Sequence, residues 1–435
     1  YPLRRQRQMC IRDRYQEALD ESAVLRKHFK KSPEYWAFLG ACEYQLGLID
    51  KSEKKTRKAL FLDPRNFDAN NNLGSLLLDK GLYSEAIKYL CIASEVDRSS
   101  SDAVYNLGKV YRALGDIDKA KELFKKAISL NPKMAIAHNN LGNCLKVEGD
   151  LDAAISAYKQ AVNLNEDFKL AKWNLSITLL VNGDFEEGYK YYQYGFDLKK
   201  TGAKFERGPY IGNPNLEWDG KSKITNLIVW GEQGIGDELI FSKFLKYIPS
   251  YVSDIEVRIQ KKMINLFRSK LNYDQRFRVT QRNDEMGNTP HIPMGNLAKL
   301  YWSSFFSDQI RANRDYTFPR VDGTKKFVIG INWRGGLTEA ARKQRSIPID
   351  FFETLPILKN PNCTVIPLQY DSTPEEIKQL NKMFGGNNGF LNYDPTEDVD
   401  SWAADIRRCD VLISIYNSAV PIAGEYNIPS LVLLR

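Results

Sequence analysis

Long apolar stretches are missing from this 435-residue chain. No run approaches the roughly 20 residues that a membrane-spanning helix needs, and no secretory leader is visible. Cysteine is scarce and scattered. The six lie at 10, 42, 91, 144, 363 and 409 with no CxxC pair, so neither a metal site nor a disulfide framework is expected. A reduced, cytoplasmic protein is the expectation. Charge of one sign is never concentrated: 62 basic and 54 acidic residues leave +8, spread widely, which argues against a nucleic-acid surface. Also absent are the GxGxxG and GK[ST] spacings, which removes nicotinamide and ATP readings. What remains is ordinary globular composition, long enough for two or three domains.

What is present is a beat. Gly40, Gly74, Gly108 and Gly142 stand 34 residues apart, each preceded by leucine, with Leu175 and Ser176 continuing the register. Seven residues beyond each comes a second glycine: Gly47, Gly81, Gly115, Gly149 and Gly183. Small residues recur where helices must touch, as Ala86, Ala120 and Ala154, then Ala59, Ala93, Ala127 and Ala161. A period of about 34 is that of helix–turn–helix solenoids, in which one unit cannot bury its apolar face alone and stacking makes the core. The pattern resembles the tetratricopeptide repeat. It predicts an all-α superhelix of five repeats and a half over residues 15–202, of a kind that binds peptides far more often than it catalyses. Asn72, Asn106, Asn140 and Asn174 recur two residues before the glycine slot. An amide both donates and accepts, so this ladder is a candidate peptide-backbone reader. The competing reading is an asparagine that ties adjacent units together.

Past residue 202 the period changes. Gly208, Pro209, Gly212, Pro214 and Gly220 punctuate a linker over 203–224. Strand-like runs then begin at Thr225–Trp230 and recur at Glu256–Ile259, Phe327–Asn332, Cys363–Leu368, Val411–Ile415 and Ser430–Leu434. Helical stretches between them argue for parallel sheets with helices on both faces, in two halves, 225–320 and 321–435. Ligands of such sheets sit beyond the strand carboxyl ends. The first of those loops, Gly231–Asp237 (GEQGIGD), carries three glycines that let backbone N–H groups approach a ligand.

Here a family resemblance enters. WGEQGIGDELIF (230–241), NWRGGLTEAARKQRS (332–346) and YNSAVPIAG (416–424) together resemble bacterial tetratricopeptide-repeat glycosyltransferases. Their catalytic half is similar to the heptosyltransferases, and their layout to protein O-GlcNAc transferases. The resemblance implies a two-lobed, Rossmann-like GT-B region: an α + α/β protein with a nucleotide-diphosphate sugar as donor, a polypeptide or glycan as acceptor, and no metal or other cofactor. It implies Asp237 as the base, with Glu232 and His291 as weaker candidates. Asp237 equally suits a helix N-cap. Gly234, Gly236, Arg334, Lys343, Arg345, Ser346, Gln369, Asn417 and Ser418 would hold the donor and its phosphates. Arg342 is placed behind Arg345, whose pairing with Ser346 matches the family pattern.

Two departures cut the other way. Relatives carry aspartate where Tyr416 stands and histidine where Pro421 stands, so a non-catalytic repeat adaptor with a degenerate transferase domain is the rival reading. Asp398 and Asp400 form a DxD triplet, read as helix capping because it precedes a helix rather than following a strand. At the ends, residues 1–14 are expected to be a non-native or disordered tail, and the apolar run up to Arg435 to leave the last lobe incomplete.

Overall fold

The computed structural model describes residues 14–22, 28–196, 198, 207, 209–232, 234–283, 285–314, 326–334, 346–369, 372–384, 393–394, 397–415 and 417–433. The chain divides into two compact units, Tyr1–Tyr194 and Gly195–Arg435.

The first unit is a stack of antiparallel helix pairs: α1 (Pro33–Gln45) with α2 (Ile49–Leu62), α3 (Phe67–Asp79) with α4 (Tyr83–Val96), α5 (Ser101–Leu114) with α6 (Ile117–Leu130), α7 (Ala135–Glu148) with α8 (Leu151–Leu164), and α9 (Lys169–Asn182) with α10 (Phe185–Tyr192). The 34-residue beat has a direct cause. Each repeat glycine faces the side chain sixteen residues later: Thr56 over Gly40, Leu90 over Gly74, Phe124 over Gly108, Tyr158 over Gly142. A Cβ on Gly108 would sit 2.7 Å from the Phe124 ring, and one on Gly142 2.7 Å from the Tyr158 ring, closer than packed carbon atoms come. The second glycine serves the turn. Gly115, Gly149 and Gly183 follow the last helical residue with φ of 85°, 86° and 92°, the left-handed C-terminal position that glycine takes without a Cβ penalty.

Ser176 breaks the glycine rule without breaking the packing. In the first repeat Ser52 Oγ donates to Gly40 O at 2.7 Å, and in the fifth Ser176 Oγ donates to Gly188 O at 2.8 Å. Glycine and serine have exchanged helices at positions twelve residues apart. The hydrogen bond and the close approach both survive.

The second unit holds two four-stranded parallel sheets. One has the order β3-β2-β1-β4, from β1 (Asn226–Trp230), β2 (Asp254–Ile259), β3 (Phe277–Gln281) and β4 (His291–Pro293). The other runs β6-β5-β7-β8, from β5 (Phe327–Asn332), β6 (Cys363–Pro367), β7 (Val411–Ile415) and β8 (Ser430–Leu433). Ile228, Val229, Trp230, Ile255 and Val257 bury the first sheet, and Ile329, Ile331, Leu412 and Ile413 the second. Near-continuous apolar strands are what a parallel sheet covered on both faces requires. The helices that matter below are α11 (Ile235–Ser242), α12 (Ile264–Leu271), α13 (Leu297–Arg314), α14 (Pro374–Phe384), α15 (Val399–Arg407) and α16 (Ala419–Glu425).

The sequence expectation for the glycine loop needs adjustment. After β1 the chain forms α11, followed by a separate 3₁₀ turn at Leu245–Tyr247. Because α11 starts at Ile235, Gly236 and Asp237 belong to its first turn, not to an open loop. The strands β3 and β4 are additions. β3 alternates half-buried and exposed residues, and β4 has only three, so neither forms an apolar run.

Candidate functional site

Strand order points to two crevices. In the first sheet β2 and β4 flank β1 on opposite sides; in the second, β6 and β7 flank β5. Where the order reverses in this way, connections leave the sheet in opposite directions and open a space beyond the strand ends. The turn after β1 carries Glu232, Gly234, Gly236 and Asp237. The segments after β5, β6 and β7 carry Arg334, Gln369, Asn417 and Ser418.

These two groups meet. A Cβ placed on Gly236 would lie 3.6 Å from Ser418 Oγ and 3.7 Å from Pro421 Cγ, so the first turn of α11 rests against the start of α16. From Ser418 the contacts run inward. Asn417 Nδ2 donates to Arg334 O at 3.3 Å, while its Oδ1 accepts from the Ala419 N–H at 3.0 Å. The Arg334 N–H donates to Gln369 Oε1 at 2.9 Å, and Arg334 bridges to Ser346. The structure thereby brings together Gly234, Gly236, Asp237, Ser418, Asn417, Arg334, Gln369 and Ser346. Arg342, Lys343, Arg345 and Tyr416 lie outside the described residues.

Asp237 is the third residue of α11. Its Oδ2 accepts weakly from the Gly234 N–H, at 3.4 Å, a contact of the kind made at helix starts. Burial raises its pKa above the usual aspartate value, and Glu232 adds to the rise; the Gly234 N–H and Arg207 oppose it. A carboxylate raised in this way suits proton transfer better than an ordinary one.

Glu232 and His291 have different partners. The Glu232 carboxylate, 2% exposed, forms a two-pronged ion pair with Arg207 and accepts from the Gly295 N–H at 2.9 Å. Arg207 is itself buried, stacked 4.0 Å over Phe196, and donates to Asn296 Oδ1 at 2.6 Å. Asn296 continues the chain to Glu217, and Glu217 to the Tyr210 hydroxyl, each at 2.6 Å. Glu232 therefore anchors the glycine turn to the end of β4, as a buried charge must when it is held by a partner. It is not placed to take a proton. His291 is fully buried on β4, with Nε2 3.1 Å from Asn213 O, and burial lowers its pKa. It packs the segment around Gly212, where a Cβ would come 2.6 Å from Nε2.

Several donor candidates are likewise committed. The Arg334 guanidinium pairs with Glu376, and Gln369 is buried beneath the turn it holds. Asp398 caps α15 by accepting from the Ser401 N–H at 3.0 Å, and Asp400 accepts from Asn265 at 2.9 Å. One carboxylate escapes sequence reading altogether. Glu238 is 2% exposed and lies directly against Gly231. Burial pushes its pKa up to about 7 against the opposing pull of Gln260 and Arg282.

In the first unit each ladder asparagine points its amide at the preceding repeat. Asn106 Nδ2 donates to Asn71 Oδ1, Asn140 Nδ2 to the Tyr105 hydroxyl and Asn174 Nδ2 to Asn139 Oδ1, each at 2.9 Å; Asn72 Nδ2 reaches Ala37 O at 3.5 Å. The amide donors tie units together.

The tetratricopeptide-repeat family pattern matches residues 44–94 and 105–167. The N-terminal half thus carries tetratricopeptide repeats. Protein FlbA of Caulobacter vibrioides is 22% identical over 257 residues, covering 52% of this chain and 42% of that protein, so the chain spans less than half the length of the curated relative it matches. Among solved structures, MamA is 27% identical and covers 38% of this chain and 98% of its own, at a TM-score of 0.33. YrrB, a tetratricopeptide-repeat protein with an unusual peptide-binding site, is 21% identical and covers 41% of this chain and 92% of its own, also at 0.33.

Proposed function

We propose that the second unit is a GT-B-type glycosyltransferase that moves a sugar from a nucleotide diphosphate to an acceptor, and that the repeats hold a polypeptide acceptor. One observation carries the reading: Gly236, beside Asp237, lies against Ser418 and Pro421, joining the switch-point loops of two parallel sheets. In the reaction the acceptor oxygen bonds to the anomeric carbon as the bond to the diphosphate breaks, and the diphosphate leaves with the electron pair. The acceptor proton passes to Asp237. The ring gains positive character in the transition state, and the leaving diphosphate needs cations and N–H donors around it. Arg345, Lys343, Ser346 and Ser418 are the groups for that role. Glu232 and Gln369 act by positioning the two turns. The reading invokes no divalent ion.

The adaptor reading is favoured by how many polar groups are already engaged: Arg334 by Glu376, Gln369 by the Arg334 N–H, Glu232 by Arg207. Titrating the full-length chain with a panel of nucleotide sugars separates the two. A transferase binds at least one donor and releases its nucleoside diphosphate slowly in water. An adaptor binds none of them.

A further inference from the structure

A second cavity lies in this unit, at the far end of the helices that frame the crevice. α11 and α16 pack side by side. Their first turns meet at Gly236 and Ser418; at their other ends, a Cβ on Gly424 would be 3.6 Å from Lys243 Nζ. A cavity of about 370 Å³ opens there, lined by Ser242, Lys243, Lys246, Lys270, Tyr273 and Asn427, with Phe305 on one wall. That volume falls in the range of small-molecule sites.

Its charge is uneven. Glu425 pairs closely with Lys270 and stands 3.8 Å from Lys243, while Asp308 takes Lys246 at 3.1 Å. Among the described residues three ammonium groups thus share two carboxylates, and the ion contact of Lys243 is the long one. Lys270 keeps 19% of its side chain exposed, so its charge is held in a partly desolvated place where an anion is worth most.

Lysines also gather at helix C-termini to offset the dipole. For α16 that need is met by the backbone: the Ile428 N–H donates to Ala423 O at 2.9 Å. The turn that allows it puts Asn427 at φ 55°, the one non-glycine residue with positive φ among the described residues. The repeat turns use glycine for this conformation. Here an asparagine takes it, and Asn427 lines the cavity.

We propose that this cavity binds a small phosphate-bearing anion, held by Lys243, Lys246 and Lys270 with the Asn427 amide, and that the bound anion clamps α11 to α16. The inference stands apart from the sugar-transfer reading and survives if that reading fails. It is tested on the full chain by the rate of amine acetylation at each lysine, mapped by mass spectrometry, with inorganic pyrophosphate as probe. Pyrophosphate is expected to slow labelling of all three lysines while leaving Lys54 and Lys58 on the repeats unchanged. Lys243→Ala and Lys246→Ala, both at partly exposed positions, are expected to raise the pyrophosphate concentration that protects Lys270 by about tenfold, the effect of roughly 1.4 kcal/mol. Lys54→Ala should not move it. Absence of protection in the parent chain, protection of Lys270 in both cavity variants at the parent's pyrophosphate concentration, or equal protection by sodium chloride of matched ionic strength would overturn the proposal.

Discussion

At the scale of single residues, environment separates four carboxylates that sit within one turn and its supports. Glu232 is paired with Arg207, Glu217 is held by Asn296 and Tyr210, Asp237 is raised by burial with one weak N–H contact among the described residues, and Glu238 is buried against Gly231. Glu238 has a consequence for stability. Its pKa rises from 4.5 to about 7 on folding, so the stabilisation it confers is complete below 4.5 and is lost as pH climbs through 7. The loss amounts to about 3 kcal/mol. Glu238→Gln removes that titration, so urea-unfolding free energies of the variant should fall less between pH 5 and 8 than those of the parent. A parallel decline in both would show that Glu238 is not the group responsible. None of this was legible in the sequence, because a glutamate in a helical pattern looks alike whether it faces water or a sealed space. Glu232 was misjudged for a related reason. Its partner, Arg207, comes from a segment that reads only as linker, 25 residues away in the chain.

At the scale of elements, the repeats were legible because a steric demand repeats. Wherever a side chain from the second helix lies over the first, the residue beneath must be small, and the register shows it as glycine every 34 residues. The exchange of serine and glycine between Gly40–Ser52 and Ser176–Gly188 was not legible, since it appears only when both helices are seen together. Packing at Gly108 should therefore be strongly coupled to Phe124. Gly108→Ala is expected to cost about 1–3 kcal/mol by overpacking, and Phe124→Leu in the same chain to recover part of it. A double-mutant cycle in urea tests this; simple additivity would mean that the ring does not set the glycine. The asparagine ladder shows the limit of a one-dimensional register. Its residues recur in register, but their amide donors cross to the neighbouring repeat.

At the scale of the molecule, the chain joins a tetratricopeptide-repeat unit to a unit of two parallel sheets. Six strands were legible as apolar runs bounded by turns; β3 and β4 were not, because short or half-exposed strands carry no such run. The convergence of the turn after β1 with the segments after β5 and β7 is a property of strand order, which no local pattern encodes. The account's central claim is that this convergence is one transfer site with Asp237 as its base. The most direct measurement compares donor affinity and sugar-transfer rate for the parent chain and Asp237→Asn, using whichever nucleotide sugar the chain binds. The account predicts affinity changed by less than about 3-fold, with the rate reduced at least about 100-fold, the share of a positioned base. An undiminished rate in Asp237→Asn, or transfer that no nucleotide sugar supports in the parent chain, would contradict it.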